Sequence, residues 1–197
     1  MSELDAFLLV QSAVQEAAGQ QVAIYGDFIS GERTGAIGGQ PSLRTIGAGD
    51  LVLLDFSAVI DGYRGDFANT FACGRPPTDR QRELYQACLA ALGAAEALLA
   101  PGVAARDIDS AVRDCFAERG LAEYFSSHSG HGIGLGHPDP PYFVRESSDT
   151  LVEGDIVAVE PGLYFKGEFG MRYERNYRIT ADGCETLSHH ALQIEQR

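Results

Sequence analysis

The segment that decides the fold, Gly49–Asp55, has the sequence GDLVLLD, and a close copy of it follows later in the chain. The copy, Gly154–Glu160, has the sequence GDIVAVE and repeats the order of Gly-Asp, four apolar residues and a carboxylate. Each segment opens a pair of predicted strands with a second acid on the return strand, Asp66 in the first pair and Glu174 in the second. The repeat predicts two related halves, a pseudo-duplication, with chance similarity of two short strands as the alternative.

The first strand pair carries a strong turn signal, Asp61-Gly62, between two apolar runs. A two-residue turn at this place sets Asp66 opposite Ser57 on the neighbouring strand. Because side chains alternate along a strand, Asp55 and Ser57 lie on one face. The sequence therefore predicts that Asp55 and Asp66 are diagonal neighbours that share one site.

The second strand pair, from Ile156 to Thr180, is interrupted near Lys166-Gly167. A two-residue turn there would place Glu160 and Glu174 on opposite faces of the hairpin. We therefore expect an odd-length loop or a bulge in this half.

Three helices are predicted in the rest of the chain. The first covers residues 2–18 and is capped by Ser2, with Leu8 on its apolar stripe. The second begins at a capping box of Thr78 and Gln81, and the third ends at Gly120. A short strand near 22–25 and loops over 26–49 and 126–141 complete the prediction.

Charge and cysteine content exclude several classes of protein. The 197 residues carry 15 Lys and Arg against 28 Asp and Glu, and the net charge of −13 opposes binding to nucleic acid or anionic membranes. The four cysteines contain no C-x-x-C pair, and the N-terminus lacks the pattern of a signal peptide. We expect a cytoplasmic protein with no nucleic-acid partner and no membrane partner.

Carboxylates at matched positions interrupt strands that are otherwise apolar, and His131 in the sequence GHGIG adds an imidazole on a backbone that allows close approach. Unpaired buried carboxylates are costly, so cations or shared protons must compensate for them, and two divalent metal ions would do so. An oxygen-rich set with one nitrogen suits manganese, cobalt, iron or zinc. The chemistry indicates a two-metal hydrolase.

These residues resemble the pita-bread metallopeptidase family, which comprises methionine aminopeptidases, aminopeptidase P, prolidase and creatinase-like relatives. The resemblance implies an α+β pita-bread fold, in which pseudo-twofold duplicated halves form a curved antiparallel sheet backed by helices. It also implies two divalent metal ions, manganese first and cobalt, iron or zinc as alternatives. The five ligands that it implies are Asp55, Asp66, His131, Glu160 and Glu174.

Further roles follow from the resemblance, which is strongest to the Xaa-Pro aminopeptidase and prolidase branch. Glu160 would be both a metal ligand and a proton shuttle, and His137 would contact the scissile amide, with a surface position before Pro138 as its alternative. His128 and Arg172 would support the ligands or contact the substrate, and Arg172 would orient Glu174.

Three departures from the family pattern accompany the resemblance. Gly38 occupies the place of a substrate-contacting His, and the loop from His131 to His137 is one residue short. The segment 67–70 lacks the Thr-Arg pair of the proline-specific branch. We expect residues 1–197 to be a single catalytic domain without the family's first helix and N-terminal domain. The absence of these parts predicts either an open site or a homodimer that covers the face left open.

The function implied is that of an aminopeptidase or dipeptidase that depends on two metal ions. A metal-bridging hydroxide would hydrolyse the N-terminal Xaa-Pro amide bond, or a similar bond, of a peptide or dipeptide. The alternatives are a hydrolase of the methionine aminopeptidase type, a pita-bread binding module that has lost catalysis, and a fragment without activity.

Overall fold

The computed structural model describes residues 1–195. The helices are α1 (Glu3–Ala18), α2 (Asp79–Glu96) and α3 (Ala105–Ala117), with 3₁₀ helices at Gly31–Ala36 and Ala122–Tyr124. The strands are β1 (Ala23–Ser30), β2 (Leu51–Ile60), β3 (Tyr63–Arg64), β4 (Phe67–Ala72), β5 (Gly130–Gly132), β6 (Asp139–Phe143), β7 (Ile156–Val159), β8 (Gly162–Phe165), β9 (Phe169–Arg172), β10 (Arg175–Thr180) and β11 (Gly183–Thr186).

The two copies of the repeated segment lead into strands that lie inside two different antiparallel sheets. In the first sheet, β2 pairs with β1 on one side and with β3 and β4 on the other. In the second sheet, whose order is β11-β10-β7-β5-β6, β7 lies between β10 and β5. Strands β8 and β9 form a two-stranded ribbon. The predicted α+β class is thereby confirmed, and the repeated segments hold equivalent inner positions.

The first hairpin has the predicted turn and register. Asp61 and Gly62 both have positive φ, 53° and 87°, as a type I′ turn requires. The pairs Val59↔Arg64 and Phe56↔Phe67 keep one register on both sides of Asp66. Asp66 therefore lies opposite the position of Ser57, as predicted.

An odd-length turn in the second hairpin brings Glu160 and Glu174 to one face. Three residues, 166–168, connect Phe165 to Phe169, which pair with each other. The pairs Val159↔Arg175 and Gly162↔Arg172 keep one register along the hairpin. Glu160 and Glu174 thus occupy opposed positions, and no bulge is needed between them.

Helices α1 and α2 begin where their caps predict, and α1 ends at Ala18 as expected, whereas α3 ends at Ala117, before the expected stop at Gly120. Ser2 with Asp5 and Thr78 with Gln81 both form complete capping boxes. Helices α2 and α3 pack their apolar stripes into the main core against the second sheet, and Ile108 is fully buried. Helix α1 differs from the prediction, because Leu8 on its expected buried stripe is 51% exposed. In α1 the buried residue is Glu3, whose carboxylate accepts hydrogen bonds from Ser30 N and Oγ, both at 2.8 Å.

Two segments predicted as loops contain strands. Strand β1 continues to Ser30 because it pairs with nearly the whole length of β2, so long-range pairing decides its end. Within 126–141, Gly130–Gly132 forms a strand between β6 and β7. A Cβ at Gly130 would lie 2.0 Å from the carbonyl oxygen of Ala158, so this strand needs glycine for close backbone approach. Within residues 1–195, no helix combines the length and apolar character that crossing a bilayer requires.

Candidate active site

Side chains from both halves of the chain line one cavity of about 280 Å³. The first half supplies residues of β1 to β3 and Asp66, and the second supplies the loops around β5, the end of β7 and the end of β9. The lining residues are Tyr25, Gly26, Asp27, Asp55, Ser57, Arg64, Asp66, His128, His131, His137, Pro138, Glu160 and Arg172.

The predicted acids of the two halves converge at this cavity. Single carboxylate oxygens of Asp55, Asp66 and Glu174 all lie within 4.8 Å of one another. Asp66 and Glu174 are buried, and the side chain of Asp55 is only 14% exposed. Three carboxylates at this separation repel one another strongly in a buried site.

Glu174 is the acid with the least compensation. The residue is 1% exposed, and neither carboxylate oxygen has a hydrogen-bond partner among the described residues. Its backbone N–H donates to Ala68 O at 3.2 Å, which fixes the strand but leaves the side chain unpaired. Burial and then the charge of Asp66 raise the pKa of Glu174 well above its usual value. A buried acid without a donor is the position where a cation fits.

His131 is held in one orientation beside the acids. The ring is 3% exposed, and Nδ1 lies 2.7 Å from Gly132 O, so Nδ1 donates and Nε2 faces the cavity. Nε2 lies 3.2 Å from Glu160 Oε1 and 3.5 Å from Asp66 Oδ2. Burial lowers the pKa of His131, but the hydrogen bond and the charge of Glu160 outweigh it and raise the pKa to about 9.

The two acids at matched positions of the repeat have opposite electrostatic environments. Burial raises the pKa of Asp55 to about 7, although the charge of Arg172 offsets part of this effect. Burial also acts to raise the pKa of Glu160, but the hydrogen bond from His131 and the charge of Arg172 lower it to about 2. Glu160 is therefore the anionic partner of His131.

Arg172 joins the two halves through its guanidinium. It contacts Asp55, donates from Nε to Tyr164 OH at 2.7 Å, and lies 3.6 Å from Glu160 Oε2. Its backbone N–H donates to Thr70 Oγ1 at 3.0 Å. The predicted orientation of Glu174 by Arg172 is not observed, because the side chain turns toward the first half.

The two other predicted histidines lie on the wall of the cavity. His137 Nε2 lies 2.8 Å from Asp66 Oδ2, and this hydrogen bond raises the pKa of His137. The shortened loop therefore still directs His137 inward, and the ring is not at a separate surface position. His128 Nδ1 lies 3.5 Å from Glu160 Oε1 without a hydrogen bond, and burial lowers the pKa of His128.

Sequence reasoning missed Asp27, which lies directly across from Asp55 in the β1–β2 pairing. Its Oδ1 accepts from Gly39 N at 2.8 Å, and its Oδ2 lies 4.0 Å from Arg172 Nη1. A Cβ at Gly38 would lie 2.2 Å from Asp27 Oδ2, so this carboxylate fills the space beside Gly38. The available signal was an acid inside an otherwise apolar strand, directly before Phe28.

Sequence reasoning also missed a buried network behind the loop that carries His128. Asp109 on α3 is fully buried, accepts from Ser129 Oγ at 2.6 Å and pairs with Arg113 Nε at 2.6 Å. Arg113 also donates to Ser127 O at 2.9 Å. Helix α3 thereby anchors residues 127–129, and His128 within this segment lines the cavity.

The donor set fits divalent metal ions. Asp55, Asp66, Glu160 and Glu174 carry up to four negative charges, and Arg172 is the cation in contact with Asp55 and beside Glu160. Oxygen donors with one imidazole suit first-row divalent ions. The unpaired oxygens of Glu174 are the observation that such an ion explains.

Comparison with known proteins places this geometry in a family. Residues 1–181 match the sequence profile of metallopeptidase family M24. The Xaa-Pro dipeptidase of Lactobacillus helveticus is 33% identical over 187 residues, covering 95% of this chain and 49% of the relative. The chain spans about half the length of the curated relatives it matches.

Solved structures show the same fold. The X-Pro aminopeptidase from Thermotoga maritima superposes with a TM-score of 0.94 at 29% identity over 99% of this chain and 55% of that chain. The prolidase from Pyrococcus horikoshii gives a TM-score of 0.92 at 30% identity over 98% and 56% of the two chains. These neighbours confirm the predicted pita-bread fold and the likeness to the Xaa-Pro branch. With this fold and its profile match, the chain belongs to metallopeptidase family M24.

Proposed function

We propose that this protein hydrolyses the N-terminal amide bond of Xaa-Pro peptides or dipeptides with the help of two divalent metal ions. The observation that carries the proposal is the buried, unpaired carboxylate of Glu174 beside Asp55 and Asp66. Relatives named Xaa-Pro dipeptidase, and structures named prolidase and X-Pro aminopeptidase, support the choice of substrate.

Five residues would hold the metal ions: Asp55, Asp66, His131, Glu160 and Glu174. When bound, divalent ions activate water as a nucleophile near neutral pH and polarise the scissile carbonyl. Manganese is the first expectation, with cobalt, iron or zinc as alternatives that the same donors accept.

The residues of this chain supply proton transfer and positioning. Glu160 is ionised at neutral pH because His131 and Arg172 stabilise its charge, so its carboxylate can take up a proton and pass it to the leaving amine. His137 Nε2 faces the cavity beside Asp66, where it can donate to the peptide carbonyl. Arg172 lies between Asp55 of the first half and Glu160 of the second half and fixes the two acids relative to each other.

Two separate observations support the proposed cytoplasmic location and the proposed homodimer. The cysteines of the described chain are all free, which suits a reducing cytoplasm. Leu8, Leu9 and Leu43 are 51%, 58% and 80% exposed near α1, which favours the association of two copies of this single domain.

Metal analysis combined with peptide turnover tests the proposal. The purified protein should bind two equivalents of manganese and cleave Gly-Pro and Ala-Pro faster than Met-Ala. Glu160→Gln should abolish cleavage, whereas Glu153→Gln, at an exposed glutamate, should leave it unchanged. Stoichiometric metal without cleavage of any peptide would instead assign the protein as a binding module, and preference for Met-Ala would assign the methionine aminopeptidase type.

A further inference from the structure

Arg64 is a cation on the cavity wall that the proposed mechanism leaves unused. It lies in β3, pairs with Val59 of β2, and lines the same cavity as the acids. Its backbone N–H donates to Gly134 O at 2.9 Å, in the loop between His131 and His137. The base of the side chain is therefore fixed where the two halves meet.

The guanidinium of Arg64 is positioned but not neutralised. Nη1 lies 3.5 Å from Ser57 Oγ, and the guanidinium carbon lies 5.2 Å from the centre of the Tyr25 ring. Neither neighbour is an acid, and among residues 1–195 no carboxylate oxygen lies within 4.0 Å of Arg64. The other cation of the cavity, Arg172, contacts Asp55 and Tyr164 and has few free donors.

The register of the first sheet shows how far the Arg64 guanidinium lies from Asp55 along β2. Ser57 follows Asp55 by two residues on the same face of β2, a spacing of about 7 Å along the strand. Since Arg64 Nη1 lies 3.5 Å from Ser57 Oγ, its guanidinium stands about one such spacing along β2 from Asp55. An extended peptide advances about 3.3 Å per residue, so a group within one or two residues of the scissile bond reaches it.

A guanidinium presents a planar fork of N–H donors that matches the two oxygens of a carboxylate. The position of the guanidinium over the Tyr25 ring restrains the side chain without using its donors. We propose that Arg64 binds a carboxylate of the peptide substrate, an inference that rests on the proposed peptidase function. The free C-terminus of a dipeptide and an acidic side chain next to the scissile bond are the two sources of that carboxylate.

Steady-state kinetics with matched substrates test this role. We would measure kcat and KM for Ala-Pro, Ala-prolinamide and Glu-prolinamide with the wild type, Arg64→Gln and Arg64→Lys. If the C-terminus is bound, Ala-Pro should have a KM at least tenfold below that of Ala-prolinamide, and Arg64→Gln should remove this difference. If the side chain is bound, the same loss should appear between Glu-prolinamide and Ala-prolinamide.

Two further variants serve as controls, one for the geometry of the Arg64 guanidinium and one for the loss of an arginine elsewhere on the surface. Arg64→Lys keeps the charge without the fork and should recover only part of the discrimination. Arg106→Gln removes an exposed arginine on α3 and should leave all three substrates unaffected. Equal changes for all three substrates in Arg64→Gln would overturn the proposal.

A binding measurement separates this inference from the peptidase assignment. Calorimetry with Ala-Pro, Ala-prolinamide and Glu-prolinamide, on the manganese-loaded Glu160→Gln protein and on its double variant with Arg64→Gln, needs no turnover. Tighter binding of a carboxylate-bearing peptide that is lost in the double variant supports the role of Arg64 even if the wild type cleaves nothing. The same affinities in both proteins would overturn it.

Discussion

The guanidinium of Arg172, at the end of β9, contacts the carboxylate of Asp55, in the middle of β2. This contact crosses from one half of the repeat to the other, and the backbone of Arg172 is bonded to Thr70 of the first half as well. One arginine thus compensates a buried acid while it ties the β8–β9 ribbon to the first sheet.

Replacement of Arg172 by Gln should destabilise the metal-free protein. Because Asp55 and Glu160 would lose their neighbouring cation in a buried site, we expect the free energy of unfolding to fall by about 3–5 kcal/mol. Urea denaturation after dialysis against EDTA measures the change. Arg106→Gln, at an exposed position, should stay within about 0.5 kcal/mol of the wild type, and the same small effect for Arg172→Gln would contradict this account.

Replacement of Glu174 by Gln should have opposite effects with and without metal. The buried carboxyl group of Glu174 must either bind a proton or bear an unpaired charge, whereas the amide has no charge to bury, so the metal-free variant should be at least as stable as the wild type, by up to about 1–3 kcal/mol. The variant should lose most of the rise in melting temperature that manganese gives the wild type. Thermal unfolding with and without manganese checks both effects, with Glu153→Gln as the control, and equal metal stabilisation of both proteins would exclude Glu174 as a ligand.

The metal-free protein should lose stability as the pH rises from about 4 to about 9. Folding raises the pKa of Asp55 from 3.8 to about 7 and that of His131 from 6.5 to about 9, so the folded state binds more protons across this interval. Glu160 acts in the opposite direction below pH 4.5, since its pKa falls to about 2 on folding.

Denaturation of the EDTA-treated protein at a series of pH values measures this dependence. The slope should not exceed about 1.4 kcal/mol per pH unit for each group. Asp55→Asn should weaken the decline between pH 4 and 7, of which the raised pKa of Glu174 maintains a part, and keep the decline between pH 6.5 and 9. An unchanged slope between pH 4 and 7 in Asp55→Asn would be incompatible with the buried environment of Asp55.

Gly38 and Asp27 should show strong coupling in a double-mutant cycle. Gly38→Ala places a methyl group against the Asp27 carboxylate and should cost about 1–3 kcal/mol of stability. With Asp27→Ala as the background, the same change should cost little, because the colliding carboxylate is absent. Urea denaturation of the four proteins gives the coupling energy, and additive effects would mean that the two residues do not compete for space.

Asp109 should be required for the stability of the loop that carries His128. Asp109→Ala leaves Arg113 and Ser129 without their buried acceptor and should cost about 3–5 kcal/mol. Asp107→Ala, two residues away on the exposed side of α3, provides the matched control and should change little. Chemical denaturation compares the two variants, and similar values for both would rule out the buried network as a stabilising element.

Local signals predicted the parts of the fold that are encoded locally. The turn at Asp61-Gly62 and the cap at Thr78 depend on neighbours within a few residues, so their positions follow from the sequence. The end of β1 at Ser30 depends on pairing with β2, and the strand at Gly130 depends on backbone approach to Ala158. Those distant partners are invisible in a local pattern.

The same distinction holds at the candidate site. Strand parity predicts the pairing of Asp55 with Asp66, and it predicts that an odd-length loop or a bulge is needed to bring Glu160 and Glu174 to one face. Their roles as ligands stay a prediction. The direction of Arg172 toward Asp55 depends on how the β8–β9 ribbon approaches the first sheet, and the place of Asp27 beside Gly38 depends on how the loop after Gly31–Ala36 returns to β1. The spacing of residues along the chain contains no information on either arrangement.

The division of the acids between two halves also sets an order during biosynthesis. The ribosome delivers Asp55 and Asp66 well before His131, Glu160 and Glu174, and N-terminal segments start to fold first. A nascent first half therefore exposes two neighbouring acids to the solvent, where water and free ions keep them charged at little cost. Complete burial of Asp55 and Asp66 among the other acids therefore has to await the docking of the hairpin that carries Glu160 and Glu174.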